Sequence, residues 1–276
     1  MSVLHIVVLA LVQGLTEFLP ISSHGHLNLV NEMLEGLGLI TAPLPEEEPV
    51  IFVAVHVGTL GAVVVYFWRD LWTMVLGLLR LTNGRMDAGA RLAGYLVIAT
   101  VPVVIAGFAV NYYATDALRS VTVIAWATLV FGIVLYVADR TGMTVRHVEH
   151  LGVGDAVIIG CAQVLALIPG TSRSGITMSA ARLLGMERAE AARFSMLLSI
   201  PAILGAGTLK GLDLYRSGDV ELTAAAVLAA GLAFAIALPT IFALMAWLQR
   251  STFTPFVVYR VFLGGALLAL AYGWIG

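Results

Sequence analysis

Within a mostly hydrocarbon chain, the stretch QGLTEFLPISSHGH, Gln13 to His26, gathers an amide, a carboxylate, adjacent serine hydroxyls and two imidazoles around one proline. Gln13 and Glu17 are four residues apart and share one helix face, so both point to one place. Pro20 disfavours helical geometry at Leu19 and ends that helix, after which Ser22 or Ser23 can cap the next. Backbone N–H groups at such a helix start attract anions, and Gly25 has no side chain to keep a ligand from the backbone. Plain capping suits Ser22 and Ser23 equally well. His24 and His26 diverge on a helix, which argues against a zinc site; an imidazole here is either an acid–base group or a simple hydrogen-bonded one.

The second stretch, IPGTSRSG, runs from Ile168 to Gly175. Pro169 and Gly170 turn the chain, and Thr171, Ser172, Arg173 and Ser174 precede a new helix. Hydroxyls, helix-start amides and a guanidinium fork are the parts of a phosphate cradle. The alternative partner for Arg173 is Glu17. A carboxylate in mid-membrane costs about 2.5–3.5 kcal/mol on insertion scales, so Glu17 is read as functional, against a place nearer the interface or a structural ion pair. His56, Gly58 and Thr59 either line the same cavity or serve helix packing. Arg260, six residues into the last apolar run, is expected to snorkel to the cytoplasmic interface. Arg182, Arg188 and Arg193 are expected to hold the second polar stretch at the inner surface.

The elements that carry these groups follow from composition. Hydrophobic residues make up 60% of the chain and charged ones 12%, and the mean hydropathy is +0.96, which together predict an integral membrane protein. With a net charge of −2 and fourteen Arg and one Lys scattered along the chain, no basic patch points to nucleic acid. The single cysteine, Cys161, offers neither a disulfide framework nor a thiolate metal site. The first apolar run lacks a basic start and contains Gln13 and Glu17, unlike a cleaved signal peptide.

Six runs are long enough to span, at about 20 residues each: roughly 50–69, 91–112, 119–138, 187–209, 221–249 and 254–274. Two more, 1–35 and 153–184, are cut by the polar stretches into pieces too short to cross. Arg69, Arg80, Arg85, Arg91, Arg140, Arg146 and Arg250 place their loops in the cytoplasm, and Glu46, Glu47 and Glu48 place the 36–49 loop outside. Lys210 and Arg216 weaken that contrast. The reading is an all-α polytopic membrane protein forming one domain over 1–276, with six transmembrane helices and two oppositely oriented re-entrant helix hairpins. Its halves, 1–150 and 151–276, have the layout of an inverted-topology repeat. Gln13 then falls on Gln163, Leu15 on Leu165, Ser22 on Ser172 and Gly25 on Gly175. Irregular backbone at membrane depth must be buried or line a wet cavity, so the two tips are expected to meet in one polar pocket, with Gln13, His56 and Gln163 as candidate lining.

The paired motifs EFLPISSHGH and PGTSRSG, with HVGTLGAVVVYFW and TPFVVYR, resemble the undecaprenyl-pyrophosphate phosphatase family associated with bacitracin resistance, and the likeness spans the whole chain. It implies removal of the terminal phosphate from a polyprenyl pyrophosphate at the outer face of the bacterial inner membrane, recycling the lipid carrier of cell-wall synthesis. It places the catalytic Ser, Glu and His on Ser23, Glu17 and His26, and the phosphate-binding Arg on Arg173, with Thr171, Ser172 and Ser174 in the same loop. It also implies a divalent cation, Mg²⁺ or Ca²⁺, near Glu17. Some members have Glu where this chain has Gln13, which would offer a metal only a neutral oxygen, and His24 stands where Thr or Ser is common. Expected partners are the polyprenyl lipid and the bilayer, with a second copy of the chain a further candidate. The competing class is a carrier or flippase of a phosphorylated lipid, which would need Arg173 but has less need of Ser, Glu and His together.

Overall fold

The computed structural model describes residues 3–36, 38, 49–113 and 120–274, and among these residues the architecture is all-helical. The helices are α1 (Val3–Thr16), α2 (Ser23–Gly36), α3 (Pro49–Tyr66), α4 (Trp68–Leu81), α5 (Ala88–Tyr113), α6 (Val121–Thr141), α7 (Val153–Val164), α8 (Arg173–Leu183), α9 (Arg188–Ser217), α10 (Val220–Leu248) and α11 (Thr254–Ala271). Glu46, Glu47 and Glu48, and most of the 111–118 loop, lie outside the described residues.

Helices α5, α6, α9, α10 and α11 are long and apolar enough to cross a bilayer, matching five of the six runs read from the sequence. The sixth run is α3, which passes that test only with α4, to which it is joined at an 80° bend. The sequence reading of residues 70–90 as a plain loop is corrected here. Helix α4 exposes Trp68, Trp72, Val75, Leu78 and Leu79 while burying Met74 and Gly77. That mixed face, rich in Trp and flanked by Arg69 and Arg80, has the composition of a helix lying in the membrane interface.

The two interrupted runs are pairs of short helices. The 14 residues of α1 and the 12 of α7 rise only about 21 and 18 Å, short of a bilayer core of about 30 Å. Helix α1 packs on α10 and α7 on α5, so each short helix leans on a long one from the other half of the chain, while α6 packs on α11 and α3 on α9 and α10. Since hydrocarbon does not drive apolar helices together, such contacts depend on close approach. At Gly58 of α3 a β-carbon would stand 2.1 Å from the Ala230 carbonyl oxygen of α10, so this pair of helices requires glycine there.

Of the basic residues behind the second break, Arg182 is buried in the fold and Arg188 and Arg193 are half-buried. Arg182 is fully buried, lies with its Nε 3.3 Å from Asp139 Oδ1, and donates to the carbonyls of Gly142, Met143 and Met186. Arg188 donates to the same Asp139 at 2.6 Å. Arg193 pairs with Asp70, Glu149 and Glu190. These arginines tie α4, α6, α8 and α9 together; carboxylate partners, unseen in the linear sequence, draw them inward.

Candidate active site

Helix α1 delivers Glu17 at the residue just past its end, where the Glu17 N–H still donates to Gln13 O at 3.0 Å. Gln13 is fully buried one turn earlier and donates from Nε2 to Glu17 Oε2 at 2.7 Å. The chain then turns through Pro20 and enters α2 by way of Ser22, whose φ is 73°. Positive φ in a residue other than glycine costs on the order of 1–3 kcal/mol and persists only where the surroundings hold it. The turn places Ser23 at the first position of α2, its Oγ donating to Glu17 Oε2 at 2.8 Å.

The second break repeats this local geometry. Gly170, with φ of 95°, turns the chain so tightly that a β-carbon there would meet the Ile124 carbonyl oxygen at 2.4 Å. Ser172 has φ of 71°, and its Oγ accepts from Gly175 N–H at 3.1 Å, as Ser22 Oγ accepts from Gly25 N–H at 3.4 Å. Arg173 follows and crosses to the first break, donating from Nη2 to Glu17 Oε1 at 3.0 Å. Ser174 Oγ donates to Leu19 O at 3.0 Å, a second direct link between the breaks.

Between the breaks lies a cavity of about 400 Å³. Its polar wall is Glu17, Ser22, Ser23, His24, His56, Ser172 and Arg173; its apolar wall includes Phe52, Leu167, Ile168 and Ile203. The lining therefore offers partners for an anionic group and for a hydrocarbon. The profile of the family described as "Bacitracin resistance protein BacA" matches residues 6–266. The chain belongs to this family. Among its relatives, "Undecaprenyl-diphosphatase 1" of Rhodospirillum rubrum is 54% identical over 273 residues, covering 99% of this chain and 96% of that protein. The "Undecaprenyl-diphosphatase" of Ruegeria pomeroyi is 48% identical over 274 residues, 99% of this chain and all of that one. That of Maricaulis maris is 45% identical over 273 residues, covering 97% and 98%.

In this BacA-family chain most of the residues singled out from the sequence either line the cavity or lie behind it. Glu17, Ser22, Ser23, His56, Ser172 and Arg173 line the cavity. Gln13, Gly25, Thr171 and Ser174 are buried behind it and shape the breaks. Gln163 is buried beside α5, its Nε2 3.4 Å from Ala99 O. His26 is not among the cavity-lining residues: its Nδ1 lies 2.7 Å from Ser22 O and its Nε2 2.5 Å from Tyr259 Oη. The imidazole beside the carboxylate is His56, with Nε2 3.8 Å from Glu17 Oε2. Its Nδ1 lies 2.7 Å from Phe52 O; a carbonyl accepts only, so Nδ1 carries a proton and Nε2 is the atom turned to Glu17.

Arg260 corrects the sequence reading. It does not snorkel to an interface: it is fully buried, and its guanidinium donates to backbone carbonyls of both breaks. Tyr259 is a supporting residue that sequence reasoning passed over, and Arg260 one that it misplaced; the TPFVVYR run carries both.

The donor set also bears on the divalent cation. Among the described residues that line the cavity Glu17 is the one carboxylate, and its oxygens already accept from Gln13, Ser23 and Arg173. Mg²⁺ and Ca²⁺ take about six or more oxygen ligands, largely carboxylates and carbonyls. With three donors already on that carboxylate, and Gln13 turned to it through nitrogen while its Oε1 is buried without a partner, the side chains as placed offer fewer oxygens than either ion takes.

Proposed function

We propose that this chain removes the terminal phosphate of undecaprenyl pyrophosphate, releasing undecaprenyl phosphate and inorganic phosphate. The observation that carries the chemistry is the Ser23–Glu17–Arg173 constellation: a hydroxyl donating to a carboxylate, beside a guanidinium, in a cavity lined by both polar and apolar residues. The printed names of the relatives supply the substrate.

The reaction then runs on this chain's own groups. The terminal phosphate takes the Arg173 fork and the amides that open α2 and α8, and competes with Glu17 for Arg173. Glu17 Oε2, already accepting from Ser23, takes the hydroxyl proton as Oγ attacks phosphorus. The bond to the bridging oxygen breaks, polyprenyl phosphate leaves, and its oxygen receives the proton held by Glu17. Water then attacks the phosphoserine phosphorus, giving its proton to the same carboxylate; the bond from phosphorus to Ser23 Oγ breaks, inorganic phosphate leaves, and Glu17 returns the proton to Oγ. No step is routed through a metal; a divalent cation would arrive on the pyrophosphate itself. A carrier would use Arg173 but has no use for a hydroxyl bonded to a carboxylate.

For the topology, we infer two inverted repeats, each a re-entrant helix pair followed by three crossings, with the cavity open to the outer face of the bacterial inner membrane. Support comes from the matched φ of Ser22 and Ser172, the matched burial of Gln13 and Gln163, the reciprocal packing of α1 on α10 and α7 on α5, and the basic loops that mark the cytoplasmic side.

The test is phosphate release from polyprenyl pyrophosphate by the purified chain in detergent, with Ser23→Ala and Arg173→Ala as controls. Release by the wild type and its collapse in both variants is expected. A folded wild type that releases no phosphate, with or without added Mg²⁺ or Ca²⁺, would sink the reading. Cysteine labelling near Ser23, with Cys161 removed, tests orientation; labelling only from the cytoplasm would reverse it.

A further inference from the structure

Arg260 sits about a turn and a half into α11 with its side chain fully buried. Its partners are backbone oxygens: Pro20 from the first break at 3.2 Å, Gly170 and Thr171 from the second at 2.9 Å each, and Thr128 and Ala127 of α6 at 3.0 and 3.4 Å. Among the described residues no carboxylate forms an ion pair with it, whereas buried Arg182 has Asp139 and cavity-lining Arg173 has Glu17. A buried cation without a counter-ion is expensive, and a fold keeps one where something offsets the expense.

Two consequences follow from this geometry. Carbonyl and following N–H of one peptide plane point in opposite directions, so holding Thr171 O on Arg260 turns the Ser172 N–H the other way. Ser172 lines the cavity and Arg260 does not, so the clamp aims a backbone donor from outside the site. The second consequence concerns charge. Glu17 cancels Arg173 in the resting site, which leaves Arg260 as the uncompensated positive charge against the loop that cradles the anion.

We propose that Arg260 is a positioning residue of this site: it clamps the two helix breaks to each other and supplies the unpaired positive charge that a bound pyrophosphate balances. This rests on the pyrophosphatase reading above. Lysine at this position keeps the charge but, as a single ammonium, cannot hold five carbonyls from three elements. Methionine removes charge and clamp together. Gly132→Ala is an independent probe, since a β-carbon there would stand 3.0 Å from Arg260 Cβ and would shift the arginine stem without touching either break.

The experiment uses the full-length chain in detergent, with phosphate release from polyprenyl pyrophosphate and thermal stabilisation by inorganic pyrophosphate as separate readouts. Arg260→Lys is expected to keep KM and the pyrophosphate-induced stabilisation while kcat falls about tenfold or more, the penalty of misplaced catalytic groups. Arg260→Met is expected to lose the stabilisation as well and to raise KM about tenfold. Gly132→Ala is expected to lower kcat several-fold at constant KM, and decides the matter if the Arg260 variants do not fold. Wild-type kcat in folded Arg260→Lys or in Gly132→Ala, or unchanged KM and stabilisation in folded Arg260→Met, would overturn the proposal. A wild type that releases no phosphate defeats the pyrophosphatase reading instead, and the pyrophosphate-stabilisation comparison still judges Arg260.

Discussion

Arg173 donates to Glu17, 156 residues away in the chain and on the other helix break, at 3.0 Å. The pair satisfies both charges while the cavity waits for an anion, and each member has a second task once the anion arrives. Glu17→Gln should lower kcat by about 10²–10⁴, the usual contribution of a positioned acid–base group. Arg173→Ala should lower kcat/KM at least as far. Because the two act on one event, the double variant should be little worse than the worse single variant. Steady-state phosphate release from all four proteins checks this; strictly multiplicative losses would show that the residues act independently.

Ser23 is the hydroxyl placed against the carboxylate, so it should carry the phosphoryl group. Rapid quenching of the wild type with substrate labelled in its terminal phosphate should trap acid-stable label on Ser23. Ser23→Ala should trap none and lose at least about 10³-fold in turnover. Label on a histidine would assign the attack elsewhere.

The two imidazoles should separate by readout. His26 joins Ser22 O to Tyr259 Oη, so His26→Gln should lower the melting temperature by an amount matching about 1 kcal/mol per lost hydrogen bond. Tyr259→Phe should share that loss. His56, turned to Glu17 through Nε2, should show the opposite pattern: His56→Phe leaves stability near wild type and lowers turnover about tenfold or more. Stability and kcat measured on the same preparations decide it, and a catalytic collapse confined to His26→Gln would return the acid–base role to that residue.

Much of this site was legible because hydrocarbon makes polarity conspicuous. Glu17, Ser23 and Arg173 stand out in runs that otherwise contain almost none, and the prolines at 20 and 169 mark where helices end. Long-range pairing was not legible. A buried Arg260 and one that snorkels have the same sequence, an arginine a turn and a half into an apolar helix; only the fold shows five carbonyls converging on it. Helix α4 was hidden because its tryptophans and arginines read equally well as the loop after a span. Neither histidine motif revealed which ring faces the cavity, since that depends on the turn at Ser22 and on where α3 packs.

Asp139 allows fold and site to be tested apart. It accepts from Arg188 Nε at 2.6 Å and from the Phe253 N–H at 3.2 Å, and lies 3.3 Å from Arg182 Nε. It sits about 16 Å along α6 from Thr128, at about 1.5 Å per residue. Removing one member of a buried ion pair leaves the other charge without compensation, at about 3–5 kcal/mol. Asp139→Ala should therefore lower thermal stability in detergent more than any single site variant above. Molecules that remain folded should bind and turn over substrate with near-normal KM and kcat, because the Ser23, Glu17 and Arg173 contacts share no atom with Asp139. Replacing Arg188 as well should restore part of the lost stability, leaving one fewer unpaired charge. A stable Asp139→Ala protein, or one whose KM collapses while its melting temperature holds, would show that the arginine knot does not anchor the fold as described.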